Sequence, residues 1–146
     1  MARKRRQLRN GRGLLLVGAA LIVLAGCEDR RAQAPVDACT RWQTSALPLR
    51  PPFEHVSGHA YIVAVRSIRR LGDTDQRPRH SPYVLCEDGK VIGDPHAVHE
   101  AIATKGQGLY SHWGHALYFS ASDNSDPNTN GRRYVLVRGP KGWFDW

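Results

Sequence analysis

Long apolar runs are missing from this 146-residue chain. The longest, Leu14 to Leu24, is interrupted by small residues and falls short of the ~20 apolar residues a membrane span needs. Cysteine is scarce: three residues and no CxxC pair, which excludes a thioredoxin-like redox site. No nucleophile elbow, paired-carboxylate spacing or phosphate-binding glycine loop occurs either, so the chain has no recognisable catalytic motif. Acidic residues are absent before Glu28, whereas Arg3, Lys4, Arg5, Arg6, Arg9 and Arg12 crowd that segment. A cationic head, a short apolar run and small residues before a cleavage point read as an export signal over residues 1–26.

The signal ends in Leu24-Ala25-Gly26-Cys27, which resembles the lipobox of bacterial lipoproteins. The resemblance implies that Cys27 carries a diacylglyceryl group and becomes the new N-terminus, holding the protein to a membrane and facing the periplasm of the cell envelope. In that family an aspartate after the cysteine retains the protein at the inner membrane; Glu28 stands there instead, which favours the outer membrane. The alternatives are an ordinary cleaved signal or an uncleaved anchor.

The formal charge of +8 changes meaning once the leader is set aside. Six of the 21 basic residues and none of the 13 acidic ones lie there, leaving fifteen against thirteen, or +2. A basic pI of 9.9 therefore does not argue for nucleic acid, because the charge must sit on the folded domain to do so. With Cys27 lipidated, Cys39 and Cys86 are left as an expected disulfide in an oxidising compartment, two separate thiols being the alternative.

Residues 27–52 are rich in Arg, Ala, Gln and Pro and read as a tether, stiffened by Pro48, Pro51 and Pro52, with Trp42 and Leu47 able to dock on the domain. Residues 53–146 are enough for one small core. His59–Ile68 is a predicted strand, and Arg69–Ser81 a charged loop. Asp88-Gly89 between two apolar stretches predicts a hairpin. Asp94-Pro95 and the spacing of Ala97, Val98, Ala101 and Ile102 predict a helix over Pro95–Lys105, with Asp94 as N-cap. Leu109–Trp113, Ala116–Ala121 and Arg133–Arg138 read as strands around a Ser122–Gly131 loop, and Gly142–Trp146 as a closing apolar tail. The expected fold is α+β: one small antiparallel sheet of five or six strands with one short helix.

The densest chemistry lies between Tyr110 and Tyr134. Tyr110, His112, Trp113, Asp123, Asn124, Asp126 and Asn130 combine aromatic faces with polar oxygens, the mixture a sugar-like ligand needs, and are the candidate ligand-binding residues. Asp126-x-Asn128-x-Asn130-Gly131 opens like a calcium loop, but Val137 stands where the bidentate glutamate belongs, so a polar turn is favoured over a metal site. His96/His99 and His112/His115 have spacings compatible with zinc but no further order, and no metal or cofactor is expected. No residue is assigned a catalytic role; a hydrolase or transferase using His112 with Asp123 is the alternative, and a purely structural role for the stretch is a third.

Residues 81–134, SPYVLCEDGKVIGDPHAVHEAIATKGQGLYSHWGHALYFSASDNSDPNTNGRRY, resemble a small module of bacterial envelope and polysaccharide-related proteins in which LxEDG, HxxHxxI, YSHWG, LYFSxSDNSDP and NGRxY recur. The resemblance covers a little over a third of the chain and transfers no catalytic residue. It implies an accessory or binding role near envelope glycans, with a glycan or an envelope protein as partner.

Overall fold

The segments at the centre of the fold are those with apolar side chains on both strand faces. In Tyr83–Glu87 every residue is buried, and in Tyr134–Arg138 Tyr134, Leu136 and Val137 are buried, Val135 is half-buried and Arg138 is exposed. Such strands sit in the middle of a sheet, covered on each side. The computed structural model describes residues 38–41 and 46–139. The signal, Cys27, Trp42 and the tail Gly142–Trp146 lie outside the described residues.

Two helices and eight strands follow in order: α1 Ala38–Arg41, β1 Leu47–Pro48, β2 Glu54–Ser57, β3 Ala60–Ala64, β4 Tyr83–Glu87, β5 Lys90–Val91, α2 His99–Thr104, β6 Tyr110–Trp113, β7 Ala116–Phe119 and β8 Tyr134–Arg138. A 3-10 helix, Arg66–Leu71, follows β3. The strands form two antiparallel sheets of four, in the orders β1-β8-β4-β5 and β2-β3-β7-β6.

The two sheets share one core. Leu49, Tyr83, Leu85, Tyr134 and Leu136 meet Phe53, Val65, Tyr110, Leu117 and Phe119 in a single buried cluster. Phe53 stands edge-on to both Phe119 and Tyr134, with ring centroids 5.1 and 5.9 Å apart. The first sheet's other face carries Val84, Cys86 and Val137, which pack with Cys39. A disulfide joins Cys39 of α1 to Cys86 of β4 across 47 residues of sequence. On the far face of the second sheet lies α2, with Ile102 fully buried beneath it.

The α+β class holds, but the single sheet of five or six strands is two sheets, and there are two helices rather than one. Hydrophobic alternation reads the same whichever sheet a strand joins. What divides the strands is partner choice: the β4–β5 hairpin pairs with β8, while the β6–β7 hairpin pairs with β3. Part of the expected tether also belongs to the fold, since Leu47 and Pro48 pair with Leu136 and Val135, and Leu49 is buried. The helix is shorter than Pro95–Lys105 because His96 takes φ +58° and Val98 is extended, so winding starts at His99 and Asp94 is not its N-cap.

Replacing both Cys39 and Cys86 by alanine removes a 47-residue closure. The chain-entropy relation puts the loss at about 4 kcal/mol. Denaturant unfolding of the double variant is expected to show a lower midpoint, and the wild-type protein in reductant should follow it.

Candidate functional site

The candidate residues spread along one hairpin, and strand parity sorts them. In β6, Tyr110 and His112 point into the sandwich while Ser111 and Trp113 face α2. Tyr110 is 1 % exposed and His112 also 1 %, so a ligand arriving from solvent meets neither. Burial raises the Tyr110 phenol pKa far above its ordinary value. Trp113 is half-buried, edge-on to His99, which stacks on Tyr118 at 3.8 Å. The Nε2 of His99 is buried with no hydrogen-bond partner, and burial lowers the pKa of that imidazole.

At the Trp113 end of the hairpin a buried polar cluster forms around Asp73, a residue the sequence offered only as part of a charged loop. The loop backbone comes flush against the β6–β7 turn at Gly72, where any Cβ would strike the backbone of Gly114. Asp73 N–H donates to the His112 carbonyl at 2.7 Å, and Gly114 N–H donates to the Asp73 carbonyl at 3.0 Å. Its carboxylate, 0 % exposed, accepts from the backbone N–H groups of His80 and Ser81 at 2.8 and 2.7 Å and from His96 Nδ1 at 2.6 Å. The Ser81 hydroxyl lies 2.8 Å from His112 Nδ1.

Ser-His and Asp-His pairs are therefore both present, but on different histidines. Nucleophilic catalysis needs one base that contacts the nucleophile and is oriented by the acid. Here Asp73 orients His96 while Ser81 bonds His112, and Ser81 is 2 % exposed. The arrangement fastens loops; it does not present a nucleophile. The His112–Asp123 dyad is not assembled, because Asp123 bonds to Ser125 and Arg132 instead.

At the other end of β7 the Ser122–Asn130 loop is held by its own side chains. Glu87, the last residue of β4 and 6 % exposed, accepts from Ser122 N–H and hydroxyl at 3.0 and 2.6 Å and from Arg132 Nη1 at 2.6 Å. The second Arg132 nitrogen reaches Asp123 at 2.6 Å, and Ser125 donates to the same carboxylate through backbone and hydroxyl. The bonds from Ser125 and then Arg132 hold the Asp123 carboxyl down at about 2. Asn124, at φ +64°, accepts from Gln107 N–H and donates to the Lys105 carbonyl. Asn130 donates to Ser125 Oγ and the Tyr134 hydroxyl and accepts from Arg132 N–H. Burial and then the Glu87 carboxylate push that phenol up to about 12.

The calcium-like oxygens of Asp126, Asn128 and Asn130 are turned to the N–H groups of Asn128, Phe53 and Arg132 rather than to a common centre. Among the described residues no three His, Cys, Asp or Glu side chains converge as metal ligands. Asp123 and Asp126 are exposed, Asn124 and Asn130 half-buried. Beside Asp126 lies Tyr61 of β3, whose hydroxyl pKa is raised by burial and then by that carboxylate, and whose ring packs on exposed His55 at 5.0 Å. Neither Tyr61 nor His55 stood out in the sequence as a site residue. Their common edge follows from the β2–β3 hairpin, which no turn motif announced.

The candidate residues thus fall into two groups at opposite ends of β7: Trp113 with the Asp73 cluster, and Asp123, Asn124, Asp126 and Asn130 with Tyr61 and His55. No known family, curated protein or solved structure matches the chain.

Two outcomes follow for stability. Burial lowers the His112 pKa against the opposing pull of Asp73, so the folded state keeps this ring neutral where the unfolded chain takes up a proton near pH ~6.5. Stability is therefore complete above that pH and declines as pH falls below it, and His112→Asn should flatten the decline in urea melts at stepped pH. Glu87→Ala leaves Arg132 and Ser122 without their buried acceptor. The expected outcome is a lower midpoint in the same denaturant titration, moderated because the partly exposed Arg132 keeps its bond to Asp123.

Proposed function

We propose that this chain is a lipid-anchored domain of the cell envelope, held by Cys27 and facing the periplasm, that binds a glycan or an envelope partner rather than transforming one. The observation that carries the reading is the rim at the Asp126 end. Exposed Asp123 and Asp126 stand on a loop fixed by side-chain bonds, next to the half-buried Tyr61 ring packed on exposed His55. Sugars present apolar C–H faces and hydroxyls together, and an aromatic ring beside a fixed carboxylate answers both. Support for an envelope location comes from the lipobox-like Leu24-Ala25-Gly26-Cys27 and the resemblance of residues 81–134 to an envelope-associated module. With Tyr110 and His112 in the core, the ligand is met by Tyr61 and Asp126, with Asp123, Asn124 and Asn130 setting the loop's shape.

Binding to purified envelope polysaccharide, measured by titration calorimetry, is expected to fall about 10- to 100-fold in Tyr61→Ala/Asp126→Ala, the equivalent of one lost ring contact and one hydrogen bond. Trp113→Ala, at the other end of the hairpin, should leave the affinity within about twofold. An unchanged affinity in the double variant refutes the rim. Separately, Cys27→Ser should abolish lipid labelling and allow a high-salt wash to move the protein out of the membrane fraction.

A further inference from the structure

Between β3 and β4 the chain makes an excursion, residues 66–80, whose charge is unlike that of the rest of the domain. Arg66, Arg69, Arg70, Arg77 and Arg79 are all exposed, and Asp75 is the one exposed acid among them, since Asp73 is buried. The excursion holds five of the fifteen basic and two of the thirteen acidic residues that follow the leader, +3 in all, so the remainder of that stretch carries ten against eleven, or −1. None of the five arginines enters an ion pair among the described residues; Arg77 touches the His80 ring at 3.0 Å and no acid.

The excursion is fixed at both ends. Val65 N–H donates to the His115 carbonyl at 2.7 Å, Ile68 and Leu71 pack on the core, and the buried Asp73 carboxylate ties down His80 and Ser81. In the 3-10 segment, with about three residues per turn, Arg66 and Arg69 fall on one side with Arg70 adjoining. The cations are thus displayed from a held loop, not from a free tail.

We propose that this loop is a docking surface for a bilayer rich in anionic phospholipid headgroups. A site for a single phosphate would gather its guanidiniums into a partly buried, bidentate cradle; these five are spread over fourteen residues of sequence and all exposed. Spread cations suit an extended anionic plane, where each contributes about fivefold to partitioning. A nucleic-acid strand is disfavoured: residues 66–80 contain no Phe, Tyr or Trp on which a base could stack, and the six-residue 3-10 helix is too short to read a groove. The inference rests on the arginine loop, and neither on Cys27 nor on the Asp126 rim.

Hydrogen exchange of the full chain, followed at the amides of 66–80 with excess vesicles of phosphatidylcholine alone or with 40 % phosphatidylglycerol, tests it. Varying lipid composition instead of anchoring makes the readout independent of whether Cys27 is acylated. Exchange is expected to slow at least threefold with the anionic lipid, to recover in 0.5 M salt, and to show no slowing in Arg66→Gln/Arg69→Gln/Arg70→Gln/Arg77→Gln/Arg79→Gln. The pair Arg69→Gln/Arg70→Gln should give an intermediate effect, and unchanged thermal melts establish that both variants fold. Equal exchange in the two lipids, slowing that survives in the quintuple variant, or stronger protection by an oligonucleotide than by vesicles overturns the proposal.

Discussion

Two buried carboxylates fasten the loops of this molecule, and Asp73 is the more deeply buried of them. Withdrawing an ionised Asp from water costs several kcal/mol unless its oxygens are fully engaged. Asp73 satisfies that condition with two backbone N–H groups and the His96 imidazole, and its own backbone is bonded to the β6–β7 hairpin on both sides. The arginine-bearing loop, the entry into β4 and the turn before α2 are thereby fastened to one point. The left-handed backbone of His96, unfavourable for a side chain of its size, is explained by the same bond. Shortening the helix is its consequence: a residue held at φ +58° cannot be wound into α2.

Glu87 plays the corresponding part at the other end of the same strand. Ser81 precedes β4 and Glu87 closes it, so six residues of extended chain, about 20 Å, separate the two polar clusters. Between them lies the apolar interior of Leu85, Leu136, Phe119 and Phe53. Groups so far apart and sharing no partner respond to substitution independently. The stretch Tyr110 to Tyr134 therefore serves two ends of the molecule, and its aromatic and Asp/Asn halves do not form one pocket.

Elements with strong local signals were legible in the sequence. Asp88-Gly89 forms its hairpin, with Asp88 at φ +48° and Gly89 at +83°, and the β6, β7 and β8 strands lie within a few residues of their expected bounds. What escaped lacks such signals. Every residue of β2 is exposed, so it shows no alternation, and β1 is two residues long and ends in proline. Division into two sheets depends on non-local pairing, to which periodicity is blind. The same holds for the site: composition marked Asp123 and Asp126, whereas Tyr61 and His55 reach that edge through the β2–β3 pairing, and Asp73 reaches His96 across 23 residues of sequence.

The two exposed carboxylates of the rim are not equivalent, and the difference bears on the binding role proposed for it. Asp123 already accepts from Ser125 twice and from Arg132, a cation it shares with Glu87, so both of its oxygens are engaged. Asp126 accepts from the Asn128 N–H and from the Tyr61 hydroxyl, a phenol rather than a cation. Under the proposed role a ligand hydroxyl would displace less at Asp126 and would find a ring face next to it. Glu87, Asn124 and Asn130 set the loop through their own bonds, so under the proposed binding role little ordering entropy would be lost there. Asp123 is thus the clamp that shapes the rim, and Asp126 with Tyr61 is the part that faces outward.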